Sequence, residues 1–92
     1  MGKAILVNQK DNVVTAVSDI KKGEEIVYPG SGANPIKARE EIPYGHKTAI
    51  SKISQGGDII KYGEVVGRAG KDIEPGDWVH SHNTQETYVP SR

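Results

Sequence analysis

A five-residue pattern recurs along this chain and limits it to a turn-rich fold. An acidic residue is followed by isoleucine, two further residues and glycine in the segments 19–23, 41–45 and 72–76. Segment 52–56 is a looser copy with lysine in the acidic position. Isoleucine would anchor each copy in the core, and glycine would accept the positive φ that reverses the chain before the next strand. The pattern predicts a compact domain of short strands and turns.

The stretches between these turns predict further elements. Residues 4–7 and 13–17 are short, mostly apolar runs, and the NQKDN between them suits a tight turn, so we expect a β-hairpin. Because both runs are so apolar, we expect them to be covered on both sides. Helical spacing within residues 46–53 predicts one or two short helical turns, and residues 28–35 predict a mobile loop. The expected fold is therefore mainly β, with one or two short helical turns.

Size and charge narrow the function. With 92 residues, of which 35% are hydrophobic and none is phenylalanine, we expect one domain over residues 1–92 and little room for a deep, private active site. The formal net charge is zero, which argues against nucleic acid or an anionic membrane as a partner. Cysteine is absent, which removes disulfides and thiolate catalysis. Without a signal-peptide pattern or an apolar run of bilayer length, a cytoplasmic protein is the expectation.

Two of the three histidines lie two residues apart, directly after the only tryptophan. If the segment from Trp78 is a strand, alternation places Trp78, His80 and His82 on one face. Tryptophan is seldom left fully exposed, so this face is expected to be partly buried. Two interpretations follow: a site against a partner subunit, or two hydrogen-bonded histidines at the edge of the core. Two imidazoles alone do not complete a metal site, so the spacing does not decide between them.

Three segments of the chain carry a family resemblance. They are IPYGHKTAISKI, IIKYGEVVGRA and DIEPGDWVHSHN. Together they resemble the SAF-type domain of the altronate and galactarate dehydratase family, over about residues 13–83. Thr48, where an apolar residue is expected, and the loop at residues 28–35 depart from the family pattern. The resemblance implies a β-clip fold, and it implies that this chain is the small, separately encoded partner of a large catalytic subunit.

The resemblance also implies a reaction. Dehydrating a sugar acid removes a proton next to the carboxylate and expels the neighbouring hydroxyl, which needs a base, an acid and stabilisation of the charged intermediate. By the resemblance, the candidate catalytic residues are His80, His82 and His46. His80 and His82 are also the candidate ligands of a divalent metal, expected to be iron, whose remaining ligands would come from the partner.

A second set of residues is expected at the carboxylate of the substrate. By the resemblance, this set comprises Lys47, Lys61 and Asn83. The alternative for Asn83 is a hydrogen bond that orients a ligand histidine without contacting the substrate. For His46 and Lys47 the other interpretation is a pair of exposed polar residues at a helix N-terminus. Tyr62 and Glu64 are explained more simply as polar residues of a β-hairpin.

Two alternative functions stay open. The same α-proton chemistry would serve a sulfolactate sulfo-lyase small subunit, and nothing in the sequence separates hydroxyl from sulfonate as the leaving group. SAF-type domains also occur as non-catalytic sugar-acid-binding or assembly modules, which need no clustered titratable side chains. Zero net charge and a face intended for a partner make a homo-oligomer a further expectation when that partner is missing.

Overall fold

The computed structural model describes residues 2–32 and 35–85, and these residues form short strands joined by turns. Nowhere in these two ranges is there a helix, and so none that is long and apolar enough to cross a membrane. The strands are β1 (Gly2–Ile5), β2 (Val13–Ala16), β3 (Glu25–Val27), β4 (Ile36–Lys37), β5 (Lys47–Ala49), β6 (Asp58–Lys61), β7 (Glu64–Ala69), β8 (Trp78–Val79) and β9 (Thr84–Gln85). The mainly β prediction is confirmed.

The strands of the described ranges are arranged in two sheets. The larger sheet has the order β4-β3-β1-β2-β5-β8, and the smaller sheet has the order β6-β7-β9. β1 and β2 pair antiparallel with Ala4 opposite Ala16, which confirms the predicted hairpin. β2 is largely buried, but β1 alternates between buried and exposed residues. The expectation that both strands are covered on both sides is therefore wrong for β1, whose Lys3 and Ile5 are exposed.

The repeated turn pattern holds distant parts of the chain together. The isoleucines of all four copies are buried, as predicted. They also bridge in pairs, Ile20 with Ile42 and Ile53 with Ile73. In each pair the two backbones exchange two hydrogen bonds of 2.8–2.9 Å. The copies therefore associate two by two, so each turn stabilises a second turn that is remote in the sequence.

Each copy of the pattern closes as a type II turn. Its glycine has a φ between +83° and +94°, and the N–H that follows it donates to the carbonyl of the residue after isoleucine at 2.7–3.0 Å. The acidic position acts across the pair of turns. Asp19 Oδ1 accepts the N–H of Tyr44 at 2.7 Å, and Asp72 Oδ1 accepts the N–H of Gln55 at 2.8 Å. In these two copies the carboxylate of one turn therefore holds the other turn.

Two groups of buried side chains fill the interior, and neighbouring residues of one strand serve different groups. Trp78 packs against the first group, whereas Val79 belongs to the second. The first group consists of Ala4, Val14, Ala16, Ile20, Ile26, Ala38 and Ile42. The second consists of Val13, Ala49, Ile53, Ile59, Ala69, Ile73 and Val79. β8 therefore lies where the two cores meet, with Trp78 on one side and Val79 on the other.

Asp11 joins the loop between β1 and β2 to the turn between β6 and β7. Its side chain accepts the N–H of Asn8 at 3.1 Å within its own loop. It also accepts the N–H groups of Tyr62 at 3.1 Å and Gly63 at 2.8 Å across the two sheets. Tyr62 and Gly63 have φ values of 60° and 73°, as a two-residue type I′ hairpin turn requires. The KYGE segment is therefore a β-hairpin whose turn is anchored by a carboxylate that is 6% exposed.

Asp11→Ala should destabilise the domain by about 3 kcal/mol, because hydrogen bonds to a charged group contribute about 1.5–3 kcal/mol each and their partners would be left unsatisfied. Asp72→Ala is the matched control. Asp72 accepts one N–H, from Gln55, and both residues are exposed, so water can replace this hydrogen bond and its loss should cost less than about 1 kcal/mol. Urea unfolding of both variants would measure the difference. Equal destabilisation would contradict the anchoring role of Asp11.

The predicted helical turns and the two departures from the family pattern all lie between residues 28 and 53. The helical turns predicted within residues 46–53 are wrong, because Lys47–Ala49 is β5, hydrogen-bonded to β2 on one side and to β8 on the other. Thr48, the departure from the family pattern, is buried and its hydroxyl donates to the carbonyl of Asp77 at 2.9 Å. The predicted loop at residues 28–35 includes residues 33 and 34, which lie outside the described ranges.

Candidate functional site

All three histidines converge on Trp78 at the edge of the larger sheet. Trp78 lies in β8, the edge strand, opposite Thr48 of β5, and His46 directly precedes β5. The indole ring centroid lies 5.4 Å from that of His46, 5.1 Å from that of His80 and 5.5 Å from that of His82. The rings of His46 and His80 are themselves 5.2 Å apart. We call these four residues the histidine–tryptophan cluster.

Trp78 is held at three polar points as well as by packing. Its backbone N–H donates to Glu40 Oε2 at 3.1 Å, and its backbone carbonyl accepts from Asn83 Nδ2 at 2.8 Å. The indole N–H donates to His46 Nδ1 at 3.2 Å. The side chain packs against the first core group. Trp78 is therefore held in a fixed position, and its indole ring contacts the three imidazoles.

The VHSHN motif forms a β-turn and not a continuing strand. β8 ends at Val79, and the N–H of Asn83 donates to the carbonyl of His80 at 3.0 Å. Asn83 Oδ1 accepts the N–H of His80 at 3.0 Å and closes the turn from the other side. The expectation that strand alternation places both histidines on one face is therefore wrong, although both rings contact Trp78. His80 and His82 are exposed, so this chain on its own does not bury them.

Asn83 is better explained by this turn than by contact with a ligand. Its side chain bonds to the backbone of His80 and of Trp78, and the residue is 3% exposed. A side chain in that position orients the segment that carries His80 and His82. The burial favours the supporting role that the sequence left open for Asn83 over direct binding of a carboxylate.

Lys47 lies on the other face of β5 from the histidine–tryptophan cluster. Lys47 lies opposite Val79, whereas the next residue, Thr48, lies opposite Trp78. Because side chains alternate along a strand, Lys47 projects to the other side of β5 from the face that holds Trp78. Burial lowers the pKa of Lys47, and the positive charge of Lys61 lowers it further. The Lys61 ammonium lies 4.9 Å from the centre of the Tyr62 ring.

The described residues do not by themselves make up a metal site. In the part of the chain that the structure describes, no three histidine, aspartate or glutamate side chains are placed to hold one ion. In addition, the indole N–H already occupies Nδ1 of His46. Structural and catalytic metal sites usually take three or four protein ligands, so His80 and His82 would need more from another chain. The iron prediction stays a prediction.

Sequence reasoning missed the contacts that organise the cluster. His46 and Trp78 are 32 residues apart, and no local spacing shows that they meet. Glu40 precedes a copy of the turn pattern and carries no signal that it binds the backbone of Trp78. The available sign was compositional: a single tryptophan beside two histidines in a chain with few aromatic residues.

Comparisons with known proteins place this chain in a family. The sequence model of the family described as the altronate/galactarate dehydratase SAF domain matches residues 2–87 of this chain. This chain belongs to that family. The assignment confirms the resemblance seen in its GHK, KYGE and VHSHN motifs.

Full-length relatives are much longer than this chain. Altronate dehydratase of Bacillus subtilis (strain 168) is 38% identical over 85 residues, which are 92% of this chain and 16% of the relative. Altronate dehydratase of Escherichia coli (strain K12) is 36% identical over 81 residues, which are 88% of this chain and 16% of that relative. The chain therefore corresponds to a small part of these dehydratases.

A shorter relative is also similar. The (2R)-sulfolactate sulfo-lyase subunit alpha of Paracoccus pantotrophus is 42% identical over 48 residues. These residues are 52% of this chain but 72% of that subunit, which is therefore a small protein itself.

Proposed function

We propose that this chain is the small subunit of a sugar-acid dehydratase and contributes histidines to a site shared with a large catalytic subunit. The observation that supports this most strongly is the convergence of His46, His80 and His82 on one anchored indole ring. A domain that only scaffolds a partner has no need to gather all its imidazoles in one place.

The chemistry of dehydration suits a group of imidazoles. One group must take the proton next to the carboxylate, and others must stabilise the charge that develops on the carboxylate and assist departure of the hydroxyl. Histidine exchanges protons near neutral pH and can serve either as base or as donor. His80 and His82 are exposed, so a substrate held by another subunit can reach them. The remaining walls of the site would then belong to that subunit.

The lysines have a separate place in this proposal. Lys47 and Lys61 stay candidate contacts for a carboxylate, but Lys47 projects away from the cluster face. They would therefore hold a remote part of the ligand, or an acidic side chain of the partner. A metal at His80 and His82, if the complex holds one, would supply Lewis-acid stabilisation of the carboxylate and would take its other ligands from the large subunit.

A second candidate function is the small subunit of a (2R)-sulfolactate sulfo-lyase. The short relative of that name favours it, because this chain spans 72% of that subunit but 16% of the dehydratases. The reaction would begin with the same removal of an α-proton and would expel sulfite in place of hydroxide. A third candidate, a binding or assembly module without a catalytic role, would leave the histidines dispensable.

Co-expression with the proposed large catalytic subunit tests these candidates. The purified chain, the large subunit and their complex would be assayed with altronate, galactarate and sulfolactate. We expect turnover only in the complex, with formation of a 2-oxo-3-deoxy acid from altronate or galactarate. Release of sulfite from sulfolactate alone would select the second candidate. Full turnover by the large subunit without this chain would contradict both catalytic proposals.

A further inference from the structure

The hydrogen bond between Trp78 and His46 fixes which nitrogen of His46 carries a proton. An indole N–H can donate and cannot accept. It lies 3.2 Å from Nδ1 of His46, so Nδ1 is the acceptor and has no proton of its own. In the neutral imidazole the proton must then be on Nε2. His46 therefore presents an N–H donor at the ring atom opposite the tryptophan.

The other histidines lack this constraint. Nδ1 of His80 lies 3.2 Å from the hydroxyl of Ser81, which can donate or accept, so either tautomer of His80 fits that contact. His82 meets Trp78 through a tilted ring contact with centroids 5.5 Å apart. The cluster thus combines one imidazole whose tautomer is defined by a hydrogen bond with two whose tautomers are not.

Trp78 is held firmly enough to define the tautomer of His46. Glu40 and Asn83 hold its backbone on both sides, and the first core group supports its side chain. The indole and imidazole planes of Trp78 and His46 are inclined at 69°, an edge-on arrangement that directs the N–H at the neighbouring ring. Because Trp78 is held in this way, it also fixes the His46 ring. The Nε2–H of His46 is then a preorganised donor, which is what stabilisation of a developing charge requires.

We propose that Trp78 is a positioning residue that sets His46 as a neutral hydrogen-bond donor to a substrate oxygen. In the proposed elimination, Nε2–H of His46 donates to an oxygen of the carboxylate as negative charge builds up on it, and His46 does not take up the α-proton. Proton removal falls to His80, His82 or the partner subunit. This assignment rests on the proposed function for its substrate, but the tautomer of His46 follows from the contact alone.

The tautomer can be measured on this chain without any partner. In [¹⁵N]histidine-labelled protein, long-range ¹H–¹⁵N spectra at about pH 8.5, where most imidazoles are neutral, should show His46 protonated at Nε2 only. Trp78→Phe keeps an aromatic ring but removes the donor, so His46 should then show the averaged shifts of two exchanging tautomers. A wild-type His46 protonated at Nδ1 would overturn the proposal.

A matched pair of variants checks the bond from the tryptophan side. Both His46→Ala and His82→Ala remove an imidazole that touches the indole ring, but only His46 accepts its N–H. Hydrogen exchange of the Trp78 indole proton should become about tenfold faster in His46→Ala, the factor that one hydrogen bond typically contributes, and stay unchanged in His82→Ala. Equal exchange rates in the two variants would overturn the proposal. Because neither experiment uses turnover, failure here leaves the dehydratase proposal standing, and the reverse also holds.

Discussion

Gly76→Ala is expected to destabilise the domain by at least about 4 kcal/mol, which is most of the stability of a small domain. Gly76 has a φ of 94°, and a left-handed conformation costs a residue with a side chain about 1–2 kcal/mol. A Cβ at this position would also overlap the backbone carbonyl oxygen of Lys37 in β4. The Gly76 backbone is held because its carbonyl accepts from the N–H of Arg39 at 3.0 Å and its N–H donates to the carbonyl of Ala49 at 2.8 Å. Lys37 is held by the pairing of β4 with β3, where it lies opposite Glu25.

Gly23→Ala separates the two contributions. Gly23 occupies the same place in another copy of the turn, with a φ of 90°, but a Cβ there would meet no atom within 4 Å. Only the conformational cost applies, so we expect a loss of about 1–2 kcal/mol. Urea unfolding at 25 °C would give both values. Similar losses in the two variants would contradict a close contact between the Lys37 carbonyl and the turn at residues 72–76.

The positions of the four turns could be predicted because each turn depends only on residues that are adjacent in the sequence. A glycine three residues after a buried isoleucine specifies a reversal wherever the rest of the chain lies. The pairing of Ile20 with Ile42 and of Ile53 with Ile73 could not be predicted in this way, because it depends on how the sheets close. The helical turns near His46 failed for the same reason. The helical spacing within residues 46–53 is a weaker determinant of structure than the hydrogen bonds that β5 makes with β2 and β8.

The candidate site shows the same division. The closeness of His80 and His82 was visible in the sequence, but the assumed strand ended at Val79 because Asn83 closes a β-turn on the backbone of His80. The inclusion of His46 came from the family resemblance and not from spacing. Its contact with the indole N–H of Trp78 required the structure. Likewise, the adjacent residues His46 and Lys47 were both predicted to belong to the site, but Lys47 projects away from the face that holds Trp78.

His80→Ala/His82→Ala is expected to lower kcat/KM of the complex with the large subunit by about 100-fold or more. Groups that transfer a proton in the rate-limiting step typically contribute 10²–10⁴-fold, and the variant removes both candidate bases of this chain. Both residues are exposed, so the loss of their rings should change the free energy of unfolding by no more than about 0.5 kcal/mol. Asn83 and its backbone bonds stay in place to hold the turn.

Val66→Ala is a suitable control for this double variant. Val66 is an exposed residue of β7, in the smaller sheet, and lies outside the cluster. Truncating it tests whether any loss of surface on this chain disturbs the complex. We expect kcat/KM to stay within about twofold of the wild-type value, as for a surface substitution away from the site.

The measurement that tests the central claim most directly is kcat/KM of the purified complex with wild-type chain and with His80→Ala/His82→Ala. Size-exclusion chromatography would first confirm that both chains bind the large subunit equally. A loss of about 100-fold or more at equal assembly is the expected result. Unchanged turnover would contradict a shared active site and would make this chain an assembly module whose histidine–tryptophan cluster has a structural role.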